Sequence, residues 1–175
     1  MKLKNQSAIA IGLIAMSISF SSLADSRHSF GPSYLSTSAG ELSFTSPGIV
    51  YEYKNSETLS IEVNLNGGGT DEYSSIDFLE AADIDSIIST KLKFSGASEG
   101  LRFYGSIGLA SISINSYLCI YGQCNNLSLS ANGLTAGVGV DLDLGEKWIL
   151  GGQFSKGFGD LDELDLMGLN LLYKF

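Results

Sequence analysis

The sequence predicts an all-β chain: an eight-stranded antiparallel up-and-down transmembrane β-barrel, with short periplasmic turns and longer extracellular loops. Three observations carry this. Apolar residues recur at every second position through most of the chain, as in "LSIEVNL" and "LTAGVGVDLDL", and period two marks strands with two unlike faces. Short and long connections alternate between these segments, which is how such a barrel reads when its two rims face different compartments. The chain also opens with a segment built for export.

That segment is "MKLKNQSAIAIGLIAMSISFSSLA". It has a basic start at Lys2 and Lys4, an apolar run from Ala8 to Met16 and a small-residue ending, the layout of a cleaved signal peptide. The run is too short to span a membrane as a helix. Residues 1–24 are therefore expected to leave, and 25–175 to form one domain. Removing Lys2 and Lys4 changes the net charge to (10 − 2) − 19 = −11. Phosphate binding needs clusters of Lys and Arg, so nucleic acid is excluded as a partner.

The strands are expected near residues 33–44, 47–54, 58–66, 84–95, 101–114, 128–144, 148–158 and 164–175. The first, "SYLSTSAGELSF", alternates poorly, and Thr45 and Ser46 are read as its turn. The third sets Leu59, Ile61, Val63 and Leu65 against Ser60, Glu62 and Asn64. The fourth sets Ile88, Leu92 and Phe94 against Ser89, Lys91 and Lys93. The fifth slips phase near Ala110, which predicts a bulge or a twist there. The sixth sets Leu134, Ala136, Val138, Val140, Leu142 and Leu144 against glycines and two aspartates. The seventh sets Trp148, Leu150 and Phe154 against Gly151 and Gln153. The last, "MGLNLLYKF", is apolar at Met167, Leu169, Leu171, Tyr173 and Phe175. "NSE", "GASEG" and "GEK" make the short turns; "GGGTDEYSSIDFLEAADID", "SYLCIYGQCNN" and "GDLDE" supply the other rim.

A soluble, lipocalin-like barrel would turn the apolar face inward, and a membrane barrel turns it to lipid. Two features favour lipid. Tyr51, Tyr53, Phe94, Phe103, Trp148, Tyr173 and Phe175 gather at strand ends near the short turns, where aromatic girdles sit. Gly137, Gly139, Gly151 and Gly168 fall on the polar face, which suits a crowded lumen. That face also carries Glu52, Glu62, Lys91, Lys93, Arg102, Asp141, Asp143 and Lys174. Eight strands leave an interior just wide enough for side chains to fill, and buried unpaired charges are costly. A pairing network is therefore expected in preference to an open pore.

Candidate chemistry outside the lumen is sparse. Cys119 and Cys124 lie close together, and in an exported chain they predict a disulfide. A metal site would need further ligands beside them. The single histidine, His28, precedes the first expected strand and is read as a solvated bystander. "GASEG" matches Gly-x-Ser-x-Gly by letter, but that motif works on a strand-to-helix turn, so Ser98 is read as a turn residue. No catalysis, cofactor or metal centre is expected. The outer connections are acidic, with Asp71, Glu72, Asp77, Glu80 and Asp83 in one and Asp160, Asp162, Glu163 and Asp165 in another. Without the EF-hand spacing, they offer at most weak divalent-cation binding. Tyr73, Phe78 and Leu79 are candidate adhesive contacts or a packed lid.

The terminal pattern of Gly168, Leu171, Tyr173 and Phe175 resembles the C-terminal signal of bacterial outer-membrane barrels. The 25–175 region is similar to the small OmpA/OmpX-type family, most of all in "GVGVDLDLGEKWILGGQFSKGFGD" and the last strand. The resemblance implies that the insertion machinery reads the last strand, which closes against the first. It implies a monomer in the Gram-negative outer membrane, among lipid and lipopolysaccharide. The expected role is structural, in envelope integrity or surface interaction through acidic loops, with a narrow solute channel as the alternative. This functional reading is fold-level analogy.

Overall fold

The structure, a computed structural model, describes residues 27–39, 42–70, 79–96, 100–120, 123–162 and 164–175. Its elements are eight strands: β1 His28–Ala39, β2 Leu42–Lys54, β3 Leu59–Thr70, β4 Leu79–Ser95, β5 Leu101–Ile120, β6 Gln123–Leu144, β7 Trp148–Gly159 and β8 Leu164–Lys174. Each pairs antiparallel with its neighbour in the chain, and β8 returns to β1 to close the barrel. Closure removes both sheet edges, so every strand has two partners. Gly100 and Gly145, at φ +83° and +70°, carry two of the inner turns through left-handed backbone that other residues rarely adopt.

The faces alternate as the pattern requires, and the apolar one points out. Phe103 is 69% exposed, and Ile107, Leu134, Val138, Leu150, Met167 and Leu169 share that surface. Soluble monomers rarely carry so continuous an apolar belt. The inward face holds Glu52, Glu62, Lys91, Lys93 and Asp141, all buried. A lipocalin-like arrangement, with the apolar face lining a cavity, is thereby overturned.

Ala110 sits in unbroken register between Ser89 and Gly133, so no bulge lies there. The register shifts instead at two places on β4, between Leu79 and Ala81 and at Asp85, between the pairs Ile84↔Ile114 and Ser86↔Ser113. The phase slip has a chemical cause. Below Ala110 the outward residues of β5 are Phe103, Ile107 and Leu109, and above it they are Ser111 and Ser113. Inward, the change is reversed: Ala110 and Ile112 join Leu35, Phe44, Ile84, Ile87, Leu161 and Leu166 in an apolar cluster. On β6, Val138 and Leu134 give way outward to Asn132 and Ser130, while Ala131 packs against the same cluster. The outer surface turns polar where the belt ends, and the interior turns apolar at that height.

The first turn lies elsewhere than expected. Thr45 and Ser46 are inside β2, opposite Ser36 and Leu35 of β1, and the pairing of these strands continues to Ala39↔Leu42. β1 begins at His28, five residues before its expected start at Ser33. Pro47 lacks an amide to donate, and it lies where the β2–β3 register shifts between Thr45 and Gly48, a place strands tolerate proline. Two expected outer loops are largely strand: β3 and β4 extend to Thr70 and from Leu79, and β5 and β6 pair from the inner turn to Ile120↔Gln123. Glu80 and Asp83 therefore lie in β4. Where the belt ends the outward face turns polar and the buried inner face turns apolar, so the apolar alternation changes phase while backbone pairing continues.

Candidate functional site

The lumen is layered. Two or three residues in from the short-turn ends of the strands, Lys93 from β4 stands among three carboxylates from three other strands. Its Nζ lies 3.1 Å from Glu52, 3.4 Å from Glu62 and 3.0 Å from Asp141, with its side chain only 2% exposed. It also lies 4.1 Å from the centre of the Tyr104 ring, close enough for a cation–π contribution. Glu52 and Glu62 are direct cross-strand partners. Like charges so placed repel, and the ammonium between them offsets this. Asn64 donates to Glu62 at 3.1 Å.

Nearer the short turns, Asp143 accepts from Lys174 at 2.7 Å and from Arg102 at 3.2 Å. Asp141 is the register partner of Arg102, yet Arg102 reaches Asp143 while Asp141 reaches Lys93. The inward face thus sorts seven of the eight charges into two tiers. Lys91 is the cross-strand partner of Glu62, but its hydrogen bond goes to the Gln153 side-chain oxygen, at 2.8 Å. Periodicity puts Asn64 and Gln153 on this polar face without naming them in the network, and it leaves out Tyr104 and Lys54, although Lys54 shares the parity of Glu52 and its charge acts on Arg102 and Lys174.

Missing side chains make the packing possible. A Cβ on Gly139 would strike the Tyr104 hydroxyl, and one on Gly151 would strike the Asn170 amide oxygen. Above the charges lies the apolar cluster. Leu161, from the short β7–β8 connection, is 0% exposed and rests on Gly157 and Gly133, where any side chain would collide with it. The connection read as an acidic loop therefore also contributes a cork.

His28 is not a free bystander. It opens β1, is buried, and its Nδ1 shares a 2.7 Å hydrogen bond with the Tyr51 hydroxyl. Its ring centre is 5.1 Å from that of Tyr53. At the same rim Trp148, Tyr173 and Phe175 stack edge to face, at 5.0 and 5.7 Å. In the last strand, Leu171 and Phe175 point outward, Tyr173 is half-buried among these rings, and Gly168 faces inward against Gln153. The backbones of Cys119 and Cys124 are register partners, but their side chains lie outside the described residues. So do Ser98, Asp71, Glu72, Tyr73, Asp77, Phe78 and Glu163, and the whole of residues 1–26. No group of metal ligands occurs among the described residues.

No family model and no curated protein matches the sequence. Solved structures do match in shape. OprG from Pseudomonas aeruginosa aligns with TM-score 0.62 at 11% identity, covering 85% of this chain and 95% of that one. The N-terminal β-barrel domain of P. aeruginosa OprF aligns at 0.56 and 14% identity, covering 84% and 97%. Ail, the attachment invasion locus protein of Yersinia pestis, aligns at 0.55 and 15%, covering 85% and 96%. With the outward belt, the closed strand order and the ionic lumen, these likenesses lead to one conclusion: the chain has the fold of the small transmembrane barrels of the outer membrane, of OmpA/OmpX type.

Proposed function

We propose that this chain is a non-catalytic outer-membrane barrel with a side-chain-filled lumen, serving envelope integrity or surface interaction. The observation that carries the reading is Lys93 bound across the lumen to Glu52, Glu62 and Asp141, beneath an apolar cluster that includes Leu161. An ion moving through would have to separate buried pairs in a medium that penalises it. The acidic residues of the outer connections suit weak divalent-cation contacts toward lipopolysaccharide phosphates. The name of Ail speaks of attachment; here a comparable role would run through the outer hairpins.

The test has two stages. Cell fractions run on gels with and without boiling should place a heat-shifting band in the outer membrane. The purified monomer in planar bilayers should then give no discrete current steps. Steady unitary conductance would instead establish a narrow solute channel.

The same reading includes export by a leader cleaved after Ala24, insertion guided by the last strand, and a Cys119–Cys124 disulfide. Direct cross-strand partners lie at a separation a disulfide can span. The mature mass should begin at Asp25, and alkylation should add to it only after reduction. Phe175→Ser should lower the heat-shifting form in the outer membrane severalfold while the same variant refolds in detergent. Equal assembly in cells would remove Phe175 from the insertion signal.

A further inference from the structure

An apolar groove of about 820 Å³ crosses the outward face of β5 to β8. Its floor includes Gly105 and Gly152, and its walls include Val138, Phe154, Met167 and Leu169. A Cβ on Gly105 would meet nothing within 4 Å, and one on Gly152 would touch only Leu169 and Val140, at 3.7 and 3.9 Å. The groove therefore exists because two outward positions of the belt lack side chains. It is an open groove on the outward surface and not an enclosed cavity.

Lys156 lies two residues beyond Phe154 on the same face of β7, toward the outer rim. Its side chain is 63% exposed and lies 3.4 Å from Asp165, its register partner on β8. The other basic side chains among the described residues lie in the lumen or toward the short-turn rim. The nearby outer connection carries Asp160 and Asp162, which repel phosphate. Among the described residues, Lys156 is thus the one outward cation in the outer half of the belt, one outward position short of Phe158.

We propose that the groove and Lys156 form a binding site for one phosphorylated glycolipid of the outer leaflet, of lipid A chemistry. An acyl chain lies in the groove and a phosphate meets the ammonium. The proposal rests on the outer-membrane reading above. In a bilayer an apolar groove gains nothing from leaving water, because lipid tails are as apolar as its walls. Its preference comes from shape: a chain lying on the glycine floor touches backbone below and side chains on both flanks, and many small dispersion contacts add up. The phosphate adds a charge-assisted hydrogen bond. Asp165 competes for the same ammonium and holds the affinity down.

The test uses the full mature barrel, folded in detergent and shown to heat-shift. It is incubated with bisphosphorylated lipid A, dephosphorylated lipid A or phosphatidylglycerol, and bound lipid is measured by native mass spectrometry. Lys156→Gln should lower binding of bisphosphorylated lipid A about fivefold, the effect of one surface cation on an anionic lipid, and leave the dephosphorylated form unchanged. Asp165→Asn should raise it. Gly152→Leu should abolish binding of both lipid A forms, and Gly105→Leu serves if that variant fails to fold. Unchanged binding in Lys156→Gln or in both glycine variants would overturn the site. Equal binding of phosphatidylglycerol would overturn the glycolipid assignment. A wild-type chain without a heat shift would instead strike at the outer-membrane reading.

Discussion

Lys93→Met should abolish, or nearly abolish, the heat-shifting folded form. Methionine fills similar volume and suits an apolar core, so the change removes charge more than bulk. It leaves Glu52, Glu62 and Asp141 facing one another without the ammonium that lies 3.0–3.4 Å from each. Removing one member of a buried ionic group typically costs about 3–5 kcal/mol, because the remaining charges stay buried and unpaired. Urea titration of the refolded barrel, followed by tryptophan emission from Trp148, measures the loss. The decisive control is Lys93→Met with Glu52→Gln and Asp141→Asn. Neutralising two carboxylates beside the lost cation should restore most of the stability. If Lys93→Met unfolds at the wild-type urea concentration, the cluster contributes little and the lumen is wetter than its geometry implies.

Gly31→Val should prevent closure. Gly31 faces inward on β1 at the seam with β8, and a Cβ there would strike the Leu171 carbonyl oxygen, with the carbonyl carbon at 2.8 Å and the Leu172 Cα at 3.1 Å. All three are backbone atoms, so no side chain can swing aside. The strands must part, and an open barrel in lipid leaves rows of amides and carbonyls without partners. The variant should lose the heat-shifted band and be degraded in cells. Gly105→Val is the matched control, since a Cβ at Gly105 meets open space, and it should close normally. Closure of Gly31→Val with an unchanged heat shift would mean that the seam is looser than its register.

The fold was legible because lipid and lumen impose opposite chemistry on alternate residues. Leu59, Ile61 and Leu65 against Ser60, Glu62 and Asn64 already state which side is which. The lumen residues were legible for the same reason: Glu52, Lys91, Lys93 and Asp141 share the parity of their strands' polar face, and that parity alone sends them inward. Where the alternating signal stopped, so did the reading. The outer ends of β3 and β6 are rich in Gly, Asn and Ser, and those of β4 and β5 change the phase of their apolar residues, so they look like loops. The turn after β1 was misplaced because "SYLSTSAGELSF" contains few apolar residues to hold a phase.

The sequence by itself determined the strand number, the inside-out arrangement and most of the inward charges, since each follows from period-two chemistry within single segments. Only the tertiary structure decided which charges meet. Asp141 and Arg102 are register partners, yet each bonds elsewhere, because long side chains reach diagonally across a narrow lumen. Lys91 goes to Gln153 rather than to a carboxylate. Leu161 becomes a cork only because Gly133 and Gly157, far from each other in sequence, leave it room. These outcomes depend on distances across the barrel, which closure creates and no local pattern encodes.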